Sequence, residues 1–186
     1  MNILARIIRG WDNTTNMLEY LYPLRTFLIV AGSTEKPNAM TADWVTPLSF
    51  KPTLLGVSIG HTRYTKKLIE EQKDFVVAVP TLELLKDVWT AGTMSGAKVN
   101  KAEKMSVTFV ESKEVKAPSI KECQANIECK VVNEIDVGDH TFFVGEIVNV
   151  TYGDAFKEKP DIKNYKFIMH LSGRDFTTNS SEIYNP

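Results

Sequence analysis

Apolar residues along the chain fall into short runs bounded by glycine and proline, the pattern of strands and turns. Residues 25–31 (RTFLIVA) form the first run, closed by Gly32 and Ser33. Three more follow: residues 40–45 (MTADWV) before Pro47, residues 54–59 (LLGVSI) before Gly60, and residues 75–79 (FVVAV) before Pro80. Between the last two lies TRYTKKLIEEQK, residues 62–73. Leu68 and Ile69 face one way there, and Lys66, Lys67, Glu70, Glu71 and Lys73 face water, which predicts a short crossover helix. A second helix is expected after Pro80. Thr81 stands where an N-cap would, Leu82, Leu85, Val88 and Trp89 fall at helical spacing, and Gly92 ends it. Residues 92–104 (GTMSGAKVNKAEK) read as a polar loop with a helical turn.

The second half is strand-rich. Residues 106–110 predict a short strand, and residues 125–135 a longer one with Ile127, Cys129, Val131 and Asn133 on one side. Residues 142–150 (FFVGEIVNV) follow a turn at Val137, Gly138 and Asp139. Residues 167–171 predict a last strand before a polar tail. Near the start, Ile3, Ile7, Ile8, Trp11 and Leu18 fit a short amphipathic helix that residues 12–16 would interrupt. About seven strands with two short helices predict a mainly β fold, a barrel with helical crossovers. No GxGxxG occurs, and strands do not alternate with long helices, so a doubly wound sheet is disfavoured.

Composition narrows the class. The chain has 186 residues, 43% of them hydrophobic, enough for one domain over residues 1–186 with its core at about 24–175. With 22 basic and 23 acidic side chains the net charge is -1, so neither disorder nor electrostatic nucleic-acid binding is expected. The two cysteines, Cys123 and Cys129, are too few for a disulfide framework. Six apart in an apparently extended segment, they would share a face without reaching each other, and they read as reduced, half-buried thiols of a cytoplasmic protein. His61, His140 and His170 have no ligand-like spacing, so no metal site is expected. The N-terminal residues lack a long apolar core and a small-residue cleavage site, and no run is long enough to span a membrane.

Candidate chemistry concentrates in two stretches. Near residue 62 a helix begins after a buried strand, bringing Thr62, Arg63, Thr65, Lys66 and Lys67 to a positive helix end with free N–H groups. That is an anion seat suited to phosphate. The plainer reading is a surface helix with solvated basic residues. Upstream, Asn38, Thr41, Trp44, Thr46 and Ser49 place hydrogen-bonding groups beside one flat apolar face, which suits a planar heterocycle. Trp44 equally suits an ordinary core position.

These stretches carry a resemblance. NAMTADWVTPLSFKP (38–52), HTRYTKKLIEEQKDFVVAVP (61–80), GTMSGAKVNK (92–101), IKECQANIECKV (120–131) and GDHTFFVGEIV (138–148) stand in the order and spacing of one family. The chain resembles the flavin reductase-like family of FMN-binding split barrels, which includes flavoredoxins and archaeal ferric reductases. The resemblance implies a split β-barrel of Greek-key type with short crossover helices. It implies a homodimer that binds FMN without a covalent bond near the dimer interface. Asn38, Thr41, Trp44, Val45, Thr46 and Ser49 would line the ring and ribityl chain. Thr62, Arg63 and Thr65 would hold the phosphate. Ser95, Gly96 and Lys101 would approach from the other side, and His140 would stand by the nicotinamide face as the catalytic residue. Read from the residues alone, His140 is a solvent-facing turn histidine and Lys101 part of a solvated charge run.

The resemblance leaves more than one function open. The first is an NAD(P)H-dependent flavin or ferric reductase, in which NADH or NADPH reduces bound FMN and electrons pass to free flavin, ferric iron or a redox partner protein. The second is a flavoredoxin-like electron carrier between proteins with no direct NAD(P)H oxidation. The third is a barrel without flavin that serves as an interaction module.

Overall fold

The computed structural model describes residues 17–185. Ile3, Ile7, Ile8 and Trp11 of the expected N-terminal helix lie outside the described residues. Leu18 falls in a 3-10 turn, Met17–Leu21. Next come β1 (Leu24–Arg25), β2 (Phe27–Gly32), β3 (Pro37–Ala42), β4 (Val45–Phe50), β5 (Thr53–Gly60), α1 (Tyr64–Gln72) and β6 (Asp74–Val79). After these stand α2 (Leu85–Thr93), β7 (Phe109–Val110), β8 (Ser119–Ile120), β9 (Ala125–Val137), β10 (His140–Tyr152), β11 (Ile168–Ser172) and β12 (Asp175–Thr178).

Seven strands form an antiparallel sheet in the order β3-β2-β6-β9-β10-β5-β4. Its inner faces converge on one core, with Ile29, Met40, Val57, Phe75, Cys129 and Phe143 from six different strands in a single cluster. The sheet is thus rolled into a barrel, the split-barrel architecture the resemblance implies. The outer faces of β2, β3 and β6 are buried as well. Leu28, Val30, Ala39, Val76 and Ala78 pack under Leu84, Val88 and Ala91 of the α2 segment. Strands covered on both faces need apolar residues at every position. FLIVA and FVVAV are therefore continuous runs rather than alternating ones. A small sheet in the order β1-β11-β12 flanks this second core.

The structure departs from the sequence reading in six places. Residues 40–45 are not one strand: β3 ends at Ala42 and β4 begins at Val45. Asp43 turns the chain between them, its carbonyl accepting from the Val45 N–H at 3.0 Å. The second helix opens with a 3-10 turn, Leu82–Leu84, and Thr81 makes no side-chain cap. The Thr81 backbone instead bridges to Phe167, and Gly92 sits inside the last turn of α2. The strand expected at 106–110 is only the two residues of β7. In β9 the register shifts at Val132, so Asn133 does not share the face of Ile127 and Cys129. β12 lies in what read as a polar tail, anchored by Phe176 against the outer core.

The sixth departure concerns the thiols. Cys123 and Cys129 are fully buried, not half-buried, and occupy different cores. Burial pushes both thiols up, helped by Glu122 and Asp87 near Cys123 and by Glu128 near Cys129. The thiolate is the reactive form. Native protein at pH 8 should therefore leave both cysteines unalkylated by iodoacetamide, and unfolding should expose both, as counted by mass spectrometry. Rapid labelling of either in the native protein would contradict this burial.

Candidate functional site

Helix α1 crosses one end of the barrel and inserts Ile69 into its core. The helix is tied down at several points. The Gly32 N–H donates to Gln72 Oε1 at 2.9 Å, and Asn38 Nδ2 donates to Thr65 Oγ1 at 2.8 Å. Lys73 closes the helix in the left-handed conformation (φ 60°), its N–H donating to Ile69 O at 2.8 Å. These ties fix the rim position of Arg63, whose backbone is extended and whose side chain makes no cap bond. The Lys66 N–H donates to Arg63 O at 3.1 Å, so the Tyr64 and Thr65 N–H groups stand ahead of the first intrahelical bond. The expected gathering of Lys66 and Lys67 at this end is corrected by the structure. They pair with Glu70 and Glu71 along the helix flank, at 2.5 Å and 3.7 Å.

A cleft of about 130 Å³ opens where α1 begins, and it gathers Thr41, Thr62, Arg63, Thr65, Ser95 and Lys101. These residues come from three separate stretches of sequence. Lys101 is 4% exposed, and its ammonium donates to Ala39 O at 2.8 Å and Ala91 O at 2.7 Å. It joins β3 to α2 while lining the cleft. Burial, with Arg63 nearby, lowers its pKa to about 8. It is not the solvated lysine of a charge run. Thr41 donates its hydroxyl to Val88 O, a second tie between β3 and α2.

Two features mark the surroundings of the cleft. Asn38 Oδ1 is buried without a hydrogen-bond partner, which is costly unless a donor arrives. Gly96 passes so close that a Cβ there would stand 2.0 Å from that oxygen and 2.9 Å from Tyr64 Cδ1. Tyr64 also lines the cleft, and the sequence reading passed it over between Arg63 and Thr65. Beyond Tyr64, Gly96 and Lys101 the cleft meets a groove of about 550 Å³ carrying Lys36, Lys98 and Lys116. The inner cleft suits a phosphate and a polyol chain; a tricyclic ring must lie outside it.

The adjoining surface supplies a flat wall. The Trp44 and His140 rings lie 4.7 Å apart, inclined by 34°. His140 Nδ1 is 2.6 Å from Asp139 Oδ1, a bond that holds the Asp139 carboxyl below its ordinary value. Gly60 joins this wall to the cleft. A Cβ on Gly60 would meet His140 Nε2 at 3.5 Å and Arg63 Cγ at 3.8 Å.

The predicted ring-lining segment is divided by the structure. Thr41 lines the cleft, Asn38 lines the adjoining groove and holds Thr65 of the cleft, and Trp44 lies against His140. Val45, Thr46 and Ser49 line a different, apolar cavity. Asp43, next to Trp44, faces away from the cleft. It accepts from Thr26 Oγ1 at 2.8 Å and lies 2.7 Å from His170 Nδ1 of β11.

Fold and cleft together define a flavin-reductase-type split barrel, and sequence comparison agrees. The profile described as the flavin reductase like domain matches residues 20–171. The chain belongs to this family. It is 73% identical over 177 residues to an uncharacterized protein of Archaeoglobus fulgidus, covering 94% of this chain and 99% of that one. It is 30% identical over 124 residues to a ferric-chelate reductase (NAD(P)H) of the same organism, covering 66% of this chain and 72% of that one. The crystal structure of flavoredoxin from Methanosarcina acetivorans superposes with a TM-score of 0.80 at 30% identity, covering 94% of this chain and 92% of that one.

The Lys101 shift sets a pH dependence. Its folded pKa is depressed, so the ammonium is intact below about pH 8 and lost above it. An anion in the cleft favours the charged form. Affinity for a phosphate monoester such as glycerol phosphate should therefore hold up to about pH 8. Above that it should fall, by at most about tenfold per pH unit for one proton. Lys101→Met should abolish that fall. Calorimetric titration of both proteins between pH 6.5 and 9.5 checks this, and an unchanged pH profile in the variant would contradict it.

Proposed function

We propose that the chain is an FMN-dependent oxidoreductase of the NAD(P)H:flavin or ferric reductase type. The observation that carries the reading is the convergence over Gly60, where a basic, hydroxyl-lined cleft meets the Trp44–His140 wall. The residues fit FMN by charge and by shape. Arg63 offers a planar fork of donors, Thr62 and Thr65 offer hydroxyls, and the start of α1 offers free N–H groups to a phosphate. Lys101 adds a second positive charge beneath it. The orphaned Asn38 Oδ1 would accept from a ribityl hydroxyl. Trp44 and His140 would cover one side of the ring and exclude water there. The Asp139 contact fixes His140 through Nδ1 and leaves Nε2 directed toward Gly60. FMN supplies the redox chemistry when bound, accepting a hydride from NADH or NADPH and releasing electrons to free flavin or ferric iron.

A second reading is supported by the likeness to the Methanosarcina flavoredoxin. In it the same site carries electrons between protein partners without direct NAD(P)H oxidation. Anaerobic mixing of the FMN-loaded protein with NADH and with NADPH separates the two. Bleaching of the yellow colour within turnover time supports the reductase, and bleaching only through a donor protein supports the carrier. A preparation that stays colourless after FMN is added contradicts both. In the reductase, His140→Ala should slow flavin reduction by roughly 5- to 10-fold, the scale of one lost contact, while FMN binding stays nearly intact. Unchanged reduction kinetics would return His140 to a turn residue.

The reading includes a homodimer. β6 pairs with β9 over residues 125–130 and the Val131 N–H donates to Lys73 O at 2.9 Å, so beyond Val131 the side of β9 away from β10 runs on as an open edge. That edge exposes Val132, Ile135 and Val137 at 52%, 48% and 58% beside the hairpin that carries His140. An exposed apolar sheet edge is a template for pairing with another chain, and a second copy there would shelter the ring wall. Light scattering should find a dimer at micromolar concentration, and Ile135→Asp should dissociate it. A monomeric wild-type holoprotein would contradict this assembly.

A further inference from the structure

The barrel's two ends differ. α1 plugs one end, and the other opens into a cavity of about 510 Å³. The cavity draws on strand ends away from α1: Phe27 of β2 rather than Gly32, Leu54 of β5 rather than Gly60, Val150 of β10 rather than His140. Its lining is apolar and rich in rings, with Phe27, Phe50, Tyr152 and Phe156. Among the described residues its one charged member is Arg25.

Arg25 has no counter-ion among the described residues. Its guanidinium stacks over Phe167 at 4.5 Å and Phe27 at 5.4 Å. None of the ion pairs among the described residues includes it. Nε and Nη2 are sealed from water with no hydrogen-bond partner, and the side chain lines the cavity. Arg25 is half-buried, and two buried donors without partners on a cation are costly, a cost that a charge-assisted partner relieves. Burial already lowers the Arg25 pKa.

We infer that this open barrel mouth binds an aromatic monocarboxylate, its ring among Phe27, Phe50, Tyr152 and Phe156 and its carboxylate on the Arg25 guanidinium. The size, the apolar wall and the single orienting charge are those of a small-molecule site. Rings favour an aromatic body, since flat apolar surfaces stack well and lose little freedom on ordering. The site is separate from the cleft and does not depend on the flavin reading.

Calorimetric titration of the full chain with benzoate tests it, with benzyl alcohol as the uncharged probe and acetate as the probe lacking a ring. Benzoate should bind at least tenfold more tightly than benzyl alcohol, and acetate should not register. Arg25→Met keeps an apolar stem and should remove benzoate's advantage while benzyl alcohol binds as before. Val150→Trp fills the mouth with Arg25 in place and should exclude both, with an unchanged circular dichroism spectrum and melting temperature as evidence of an intact fold. Equal affinity for benzoate and benzyl alcohol would overturn the inference, as would displacement of benzoate by glycerol phosphate. Absence of benzoate binding, with Val150→Trp converting a dimer to a monomer in light scattering, would assign the mouth to a second copy and also overturn it.

Discussion

The cleft depends on where helix α1 is seated. Ile69 sits in the barrel core, Thr65 is held by Asn38, and Gln72 grips the start of the β2–β3 turn. A nine-residue helix has little stability of its own in water. Its position therefore comes from these contacts, and the direction of its first N–H groups follows from that position. If the seat shifted, Arg63 would leave the rim and Asn38 would lose its partner. The anion-facing geometry is thus a product of barrel closure, not of the helix alone.

Lys101 extends the same constraint across the site. Its two carbonyl bonds hold β3 against α2, and the lining of the cleft is shared between those elements. Lys101 is a buried ammonium with no carboxylate partner among the described residues, an arrangement that costs stability. A negatively charged occupant offsets that cost, so the cleft is built to favour an anion before any specific contact is counted. Arg25 repeats the pattern at the opposite mouth, with aromatic rings in place of carbonyls. One barrel thus holds a buried ammonium and a half-buried guanidinium, each lining a cavity of different chemistry.

Much of this was legible in the sequence, for physical reasons. Strands buried on both faces leave unbroken apolar runs, so β2 and β6 could be placed within a residue or two. The α1 segment shows an apolar side and a charged side, and Arg63, Thr62 and Thr65 at its start line the cleft. Signals that need tertiary partners were not legible. The turn at Asp43 depends on Thr26 and on His170, 127 positions away. β12 is a four-residue strand whose one strong apolar anchor, Phe176, packs on distant residues. Lys101 has the local sequence of a solvated loop, and only the approach of Ala39 and Ala91 makes it a buried lysine. Val45, Thr46 and Ser49 followed Trp44 in one motif, but the chain turns at residues 43–44 and carries them to the other cavity.

The central claim is that the start of α1 holds the phosphate of a flavin nucleotide. Riboflavin shares the ring and ribityl chain of FMN and lacks only the phosphate, so the pair isolates that contact. Fluorescence titration of both ligands against the wild type and Arg63→Ala is the most direct measurement. A charge-assisted contact of roughly 1.5–3 kcal/mol predicts a loss of about one to two orders of magnitude in FMN affinity, with riboflavin hardly changed. Equal losses for the two ligands, or no loss for FMN, would contradict the assignment.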